Sequence, residues 1–171
     1  MDIVVRRIRT EEHAWLGEIT AQAYLGDGLL DFGEDDGYLP LLRDVARRAA
    51  EAEVLVAVAD GEVLGGVTFV PAGGPWADIA RPGEAEFRML AVAKEARGRG
   101  AGEALVRACL ERARETEGCA RLVLSSQRSM LSAHRIYRRL GFTRTPDRDW
   151  HPIPDAGPLL TFARELTPSQ G

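Results

Sequence analysis

Lysine is nearly absent from this chain: Lys94 is the only one, and the other 21 of its 22 basic residues are arginine. That bias reads as genomic composition and assigns no function. Cysteine is equally scarce. Cys109 and Cys119 stand ten residues apart, without a Cys-x-x-Cys or a histidine in ligand spacing. They read as reduced packing residues, which excludes a disulfide framework and a metal site. The longest apolar run, Val54 to Ala59, is far too short to cross a bilayer. The first residues, Met-Asp-Ile-Val-Val-Arg-Arg, lack the order of a secretory signal, so the expected location is cytoplasmic with no membrane partner. Basic charge is not in excess either: 26 acidic against 22 basic residues give a net charge of −4, which argues against a nucleic-acid partner.

What remains is an ordinary globular composition, 45% hydrophobic and 28% charged over 171 residues. That length suits one domain, residues 1–171, burying roughly two thirds of its unfolded surface. Ile3 to Arg9 alternates as a strand. Glu11 to Leu25 reads as a helix capped by Thr10, with Trp15, Ile19 and Ala23 on one stripe. Residues 26–37 are turn-rich and acidic, and Tyr38 to Glu53 predicts a second helix. Val54–Ala59 and Val63–Val70 flank Asp60-Gly61-Glu62 as a hairpin. After a Gly- and Pro-containing loop with Trp76 come a strand over Glu84–Ala93, a helix over Gly100–Glu117 and a strand over Arg121–Ser125. Ser129–Leu140 predicts a helix stopped at Gly141. A strand begins at Phe142, a loop over 146–158 carries Trp150 and His151, and Leu159–Leu166 closes the chain's β structure. The order β-α-α-β-β-β-α-β-α-β-β is that of an α/β domain with no linker or repeat.

The most telling stretch is Glu86-Phe-Arg-Met-Leu-Ala-Val92 followed by Arg97-Gly-Arg-Gly-Ala-Gly102. A strand, a glycine-rich turn and a helix in that order set unpaired backbone N–H groups at a helix N-terminus, where they can surround a phosphate. The glycines remove the Cβ atoms that would hold an anion away. The dinucleotide fingerprint G-x-G-x-x-G fails, because Gly98 and Gly100 are followed by Glu103 in the last position. The Walker A pattern fails for want of Gly-Lys-Ser/Thr. A plain tight turn also accounts for the glycines taken alone.

Arg97, Gly100 and Gly102 form R-x-x-G-x-G, which resembles the acetyl-CoA pyrophosphate loop of the GNAT superfamily of N-acetyltransferases. A second motif, Ala133-His-Arg-Ile-Tyr137-Arg-Arg-Leu-Gly141-Phe142, is similar to the A-x-x-x-Y-x-x-x-G-F of that family. The resemblance covers essentially the whole chain, with residues 26–37 and 146–158 matching only in position. It implies the GNAT-like acyl-CoA N-acyltransferase fold, an α+β mixed sheet, and acetyl-CoA as cosubstrate with no metal. Leu90, Ala91 and Val92 would bind the pantetheine arm where the fourth strand parts from the fifth, unless they belong to a continuous core strand. Arg97, Gly98, Arg99, Gly100, Ala101 and Gly102 would hold the pyrophosphate; Arg97 and Arg99 also read as solvated surface charges. Tyr137 is either a half-buried core aromatic or, from the resemblance, the general acid for the departing thiolate.

The resemblance also implies a carboxylate near the amine, and Glu86 stands at that position. An alkyl amine of pKa near 10.4 is only about 0.04% neutral at pH 7, which costs roughly 4.6 kcal/mol. A base lowers that obstacle. Glu86 reads equally as an outward-facing strand residue or an ion-pair partner of Arg88, with Glu84 as the spare candidate. Asp27, Asp31, Glu34, Asp35 and Asp36 form either a solvated charge run or a negative border that attracts a cationic amine. Trp150 reads as a wall of the acceptor pocket and His151 as a surface residue. No cysteine sits where a covalent intermediate is expected. The reading is direct transfer from acetyl-CoA to a primary amine, a small molecule, by an enzyme for which a homodimer is compatible. The alternatives are an idle acyl-CoA-binding module and a transferase acting on protein N-termini or lysines.

Overall fold

A computed structural model describes residues 2–152 and 157–166. Residues 153–156 of the 146–158 loop lie outside the described residues. Strand β1 (Val4–Arg7) leads through a 3₁₀ turn at Thr10–Glu12 to helix α1 (His13–Gly26). The turn is fixed by the Glu12 carboxylate, which accepts from the Arg9 N–H at 2.9 Å and from Arg6 at 2.9 and 2.7 Å. Thr10 does not cap the helix; Arg9 and Glu12 stand at the two N-cap positions. The buried stripe also differs from the expected one. Leu16, Ile19 and Thr20 are inside, whereas Trp15 is 53% exposed. The reason is close packing at Gly17, where a Cβ would stand 2.6 Å from the Arg43 carbonyl oxygen. That contact turns the Gly17 face inward and Trp15 outward.

The second predicted helix is two, α2 (Tyr38–Arg43) and α3 (Val45–Glu51). Asp44 leaves the helical region at φ −84°, ψ 66°, and its carboxylate caps α3 by accepting from the Arg47 N–H. The carbonyls freed at the break do not stay bare. The guanidinium of Arg48, 1% exposed, donates to the Leu41 and Leu42 carbonyls at 2.7 and 3.0 Å and to Thr68 Oγ1 at 3.2 Å. A buried arginine thus replaces one missing helical turn.

β2 (Glu53–Ala59) and β3 (Glu62–Val70) make the expected hairpin, with Asp60 and Gly61 both at positive φ as a two-residue turn requires. β4 (Glu84–Val92), α4 (Ala101–Glu115), β5 (Arg121–Gln127), α5 (Leu131–Arg139), β6 (Thr143–Arg144) and β7 (Leu159–Glu165) complete the order. The seven strands form one mixed sheet, β1-β2-β3-β4-β5-β7-β6, in which only β4 and β5 run parallel. Eight consecutive buried positions in β3 show that both sheet faces are covered. Leu105, Val106, Cys109 and Leu110 of α4 pack with Leu55, Phe87, Leu122 and Phe162 of the strands. Each such fully buried large side chain contributes about 1.5–3 kcal/mol relative to exposure. After α5 the chain reverses as predicted. The Gly141 N–H bonds the Arg138 carbonyl and the Phe142 N–H the Tyr137 carbonyl, the double closure of a Schellman end.

Candidate functional site

The site begins with a defect in strand pairing. β4 and β5 are in register at Glu84–Arg121, Ala85–Leu122 and Glu86–Val123, and nowhere beyond. On its other edge β4 stays paired with β3 to Val92, but with a shift between Gly66 and Thr68, so that Met89 and Leu90 oppose Val67. Met89 takes φ +55° there. A bulge of this kind bends its strand and increases its twist, which carries β4 off β5. Glycine at position 65 lets β3 follow: a Cβ would lie 2.3 Å from the Ala91 carbonyl oxygen.

Between the parted strands lies a cavity of about 860 Å³. Leu90 lines it, while the Ala91 side chain is buried on the core side. The Ala93 N–H donates to Leu64 across the β3 edge at 2.8 Å. Strand alternation therefore directs the Val92 N–H to the opposite edge, the one β5 has left.

The glycine-rich loop stands at the N-terminus of α4. Gly98 and Gly100 have φ +82° and +89°, and nothing lies within 4 Å of where their Cβ atoms would be. Gly102 is tighter, its absent Cβ facing Ile136 at 3.3 Å. No side chain caps α4, and its first internal bond is from the Ala104 N–H to Gly100. The N–H groups of Ala101, Gly102 and Glu103 precede it. Arg97 and Arg99 are exposed. Arg97 is paired with Asp27 through two bonds of 3.2 and 3.0 Å, so one predicted phosphate ligand and one residue of the predicted acidic border hold each other.

Glu86 is neither outward-facing nor paired with Arg88. It is completely buried, and it lines the cavity. Its Oε1 accepts the N–H groups of Asp78, Ile79 and Ala80 at 2.9, 2.9 and 3.0 Å, while its Oε2 has no partner. Burial pushes this carboxyl above the ordinary carboxylate range, against the opposing effect of the three N–H groups. Arg88, two residues on and on the same strand face, pairs instead with Asp78 at 3.2 Å and donates to Tyr38 Oη and the Trp76 carbonyl. Glu84 is held by Arg121 at 2.7 Å and Arg148 at 2.8 Å, outside the cavity lining. Burial alone would raise its pKa, but the hydrogen bonds from Arg148, Arg121 and the Arg81 N–H outweigh it and bring the group to about 2.

Tyr137 also lines the cavity and is 2% exposed, so it is more buried than half. Phe87, Phe142 and Phe162 surround its ring at centroid distances of 5.8, 5.9 and 5.5 Å. Burial raises its pKa above the usual phenol value, so the proton stays on at neutral pH. Trp150 is a cavity wall, its Nε1 donating to Ser125 Oγ at 2.9 Å, and His151 is exposed. Of the acidic segment, Asp31 and Asp36 reach the lining and Glu34 and Asp35 do not.

Several lining residues escaped sequence reasoning. Arg88 was accessible through strand alternation, since it shares a face with Glu86. Asp78 and the 78–80 turn had no local signal. Nor had Ser126, whose Oγ lies 3.0 Å from Nε2 of the buried His134, a residue outside the lining.

A sequence model of the acetyltransferase (GNAT) family matches residues 14–142. Human N-acetyltransferase 8B is 34% identical over 96 residues, 56% of this chain, and the match spans only 40% of the human protein's length. Among solved structures, a GNAT-family acetyltransferase of Staphylococcus aureus superposes with a TM-score of 0.74 at 14% identity, over 97% of this chain and all of the other. YncA of Salmonella typhimurium, solved with its cofactor acetyl-CoA, superposes with a TM-score of 0.70 at 22% identity, over all of this chain and 98% of the other. Among the described residues no helix is long and apolar enough to cross a membrane.

Proposed function

The chain belongs to the GNAT acetyltransferase family, and from its site we propose that it passes an acetyl group from acetyl-CoA directly to a primary amine of a small molecule. The observation that carries this reading is the parting of β4 from β5 beyond Glu86, which leaves a strand edge open between the glycine loop and a cavity lined by Glu86 and Tyr137.

The main chain of Leu90, Ala91 and Val92 would hold the pantetheine arm as an added strand is held. Arg97, Gly98, Arg99, Gly100, Ala101 and Gly102 would hold the pyrophosphate. These residues fit that group: Gly98 and Gly100 have open space where Cβ atoms would stand, beside a helix end with no side-chain cap. The helix dipole supplies only about 0.3–2 kcal/mol, so the N–H donors acting together carry most of the affinity. When bound, the cosubstrate supplies an activated thioester carbonyl. The Val92 N–H would polarise that carbonyl and stabilise developing negative charge.

Glu86 Oε2 takes the proton of the incoming ammonium. Its sister oxygen is fully engaged, so the carboxylate presents one acceptor in a fixed direction. Tyr137 gives its proton to the departing thiolate. Neither cysteine lines the cavity, which favours transfer without an acyl-enzyme.

Calorimetric titration with acetyl-CoA tests the reading. The wild type is expected to bind at micromolar concentration. The folded Gly100→Glu, Gly102→Glu double variant, with two carboxylates in the cradle, is expected to lose binding. No binding by folded wild type would reduce the glycine loop to a turn and refute the proposal.

A further inference from the structure

An alkylammonium acceptor sheds two protons in becoming an amide, one before its nitrogen attacks and one as the amide forms. Glu86 offers one unengaged oxygen and so takes one. The second needs another acceptor in the same cavity. Asp78 is bound to Arg88, Asp36 is bound by the Phe32 and Tyr38 N–H groups, and Asp31 stands exposed at the rim. Tyr137 is the donor to the thiolate. Among the remaining hydroxyls of the lining, Ser126 is the one backed by an imidazole.

Ser126 lines the cavity near the end of β5, where β4 has moved away, and is 3% exposed. Its Oγ lies 3.0 Å from Nε2 of His134, a ring 3% exposed on α5. The Gln127 main chain favours added charge on the same imidazole, and with Nε2 turned to Ser126 we assign the ring proton to Nδ1, facing that main chain. In that tautomer Nε2 accepts and the Ser126 hydroxyl donates to it. Met130 Sδ, 3.6 Å from Ser126 Oγ, is the weaker alternative acceptor. The Ser126 lone pairs are left for the cavity.

We propose that Ser126 and His134 form a proton relay in the cavity wall that takes the second proton of the amine; the inference rests on the acetyl-transfer reading above. The amine nitrogen forms its bond to the thioester carbonyl carbon, and the carbonyl electron pair moves to oxygen. The nitrogen's second proton passes to Ser126 Oγ as the Ser126 proton passes to His134 Nε2. When the oxyanion collapses, the C–S bond breaks and the thiolate takes the Tyr137 proton. Glu86 and the imidazolium then each release a proton to solvent and Tyr137 regains one, so one proton is released per amide formed.

The surroundings keep the ring neutral at the start. Arg138 on its own helix and Arg144 on β6 oppose a positive charge on it, adding to the effect of burial. Arg144 is itself paired with Asp149 at 2.6 Å. Tyr137 follows it on α5 at 6.3 Å between ring centres, and Phe162 of β7 covers it at 5.1 Å. β5 contributes Ser126 and the Gln127 main chain.

The test is thiol release from acetyl-CoA with phenethylamine, spermidine and a short lysine peptide from pH 9 downwards. Two bases that must both be proton-free give a wild-type log kcat that steepens towards a slope of 2 below both of their values, so the acidic limb is followed to the lowest pH at which the protein stays folded. His134→Gln, which keeps an acceptor for Ser126 but takes no proton, is expected to lower kcat about 10²-fold and cut that slope to 1. Ser126→Ala is expected to match it, and Ser126→Thr to recover most of the rate, with acetyl-CoA affinity unchanged throughout. A His134→Gln protein with wild-type kcat and slope overturns the relay and leaves the acetyl-transfer reading standing. If His134→Gln does not fold, equal rates for Ser126→Ala and Ser126→Thr overturn it instead. Folded wild type that binds acetyl-CoA but releases no thiol with any of the amines overturns the relay together with amine transfer.

Discussion

Replacing Glu86 by Gln is the sharpest perturbation this site allows, because the two oxygens of the carboxylate have different duties. Oε1 receives three main-chain N–H groups from the 78–80 turn, and an amide oxygen can receive them equally well. Oε2, bare and buried, becomes an NH₂ group that accepts no proton. The substitution should therefore spare the fold and the glycine loop while removing the base. At pH 7 the loss is bounded by the roughly 4.6 kcal/mol needed to make a free alkyl amine. A general base typically returns 10²- to 10⁴-fold of it. We expect kcat/KM for an alkylamine to fall by that factor at pH 7. The deficit should then shrink about tenfold per pH unit towards pH 10, as solution supplies the neutral amine. A stability signature accompanies it. The Glu86 carboxyl is raised by burial, so its protonated form favours the fold, and that contribution fades as pH rises through the folded-state value. The melting temperature of Glu86→Gln relative to wild type should accordingly improve between pH 4 and pH 8. Steady-state rates across pH, with calorimetry for acetyl-CoA, make the measurement. A variant with the wild-type pH–rate profile would refute the assignment of Glu86 as base.

Tyr137→Phe should lower kcat by about 10²-fold or more with acetyl-CoA affinity nearly intact by calorimetry; unchanged turnover removes the tyrosine from the reaction. Glu84, brought to about 2 by Arg148 and Arg121, stabilises the fold above the ordinary carboxylate range. That contribution, roughly 3 kcal/mol, should vanish as pH falls from about 4.5 to 2. An acid-unfolding curve of Glu84→Gln should lack that component. Asp31→Asn should raise KM for a cationic amine at low salt, with the difference closing at high ionic strength; an unchanged KM would leave Asp31 as surface charge.

What could be read from the sequence is what the backbone dictates locally. Gly98, Gly100 and Gly102 announce a helix start without Cβ atoms, and Tyr137 and Gly141-Phe142 sit at fixed helical offsets, so the cradle, the α5 stripe and the Schellman end were visible as spacing. Strand alternation places Glu86 on a face, but which face is buried depends on the 78–80 turn folding back over it, and nothing in Ala77-Asp-Ile-Ala80 signals that three successive N–H groups converge on one oxygen. The acidic run was read as either a solvated charge run or a border facing a substrate, and spacing could not decide between them for a related reason. Its charges do not act as one group: Asp27 pairs with Arg97, Asp36 accepts two main-chain N–H groups, and of the five only Asp31 and Asp36 line the cavity. The helix over 38–53 failed because a single buried guanidinium, Arg48, makes the break at Asp44 tolerable. In each case the missed fact is a long-range partner of a polar group. The chemistry of the acceptor cavity is made of such partners. Periodic patterns therefore delineate the glycine loop and helix ends proposed to meet the cosubstrate, and leave the cavity lining to the tertiary structure.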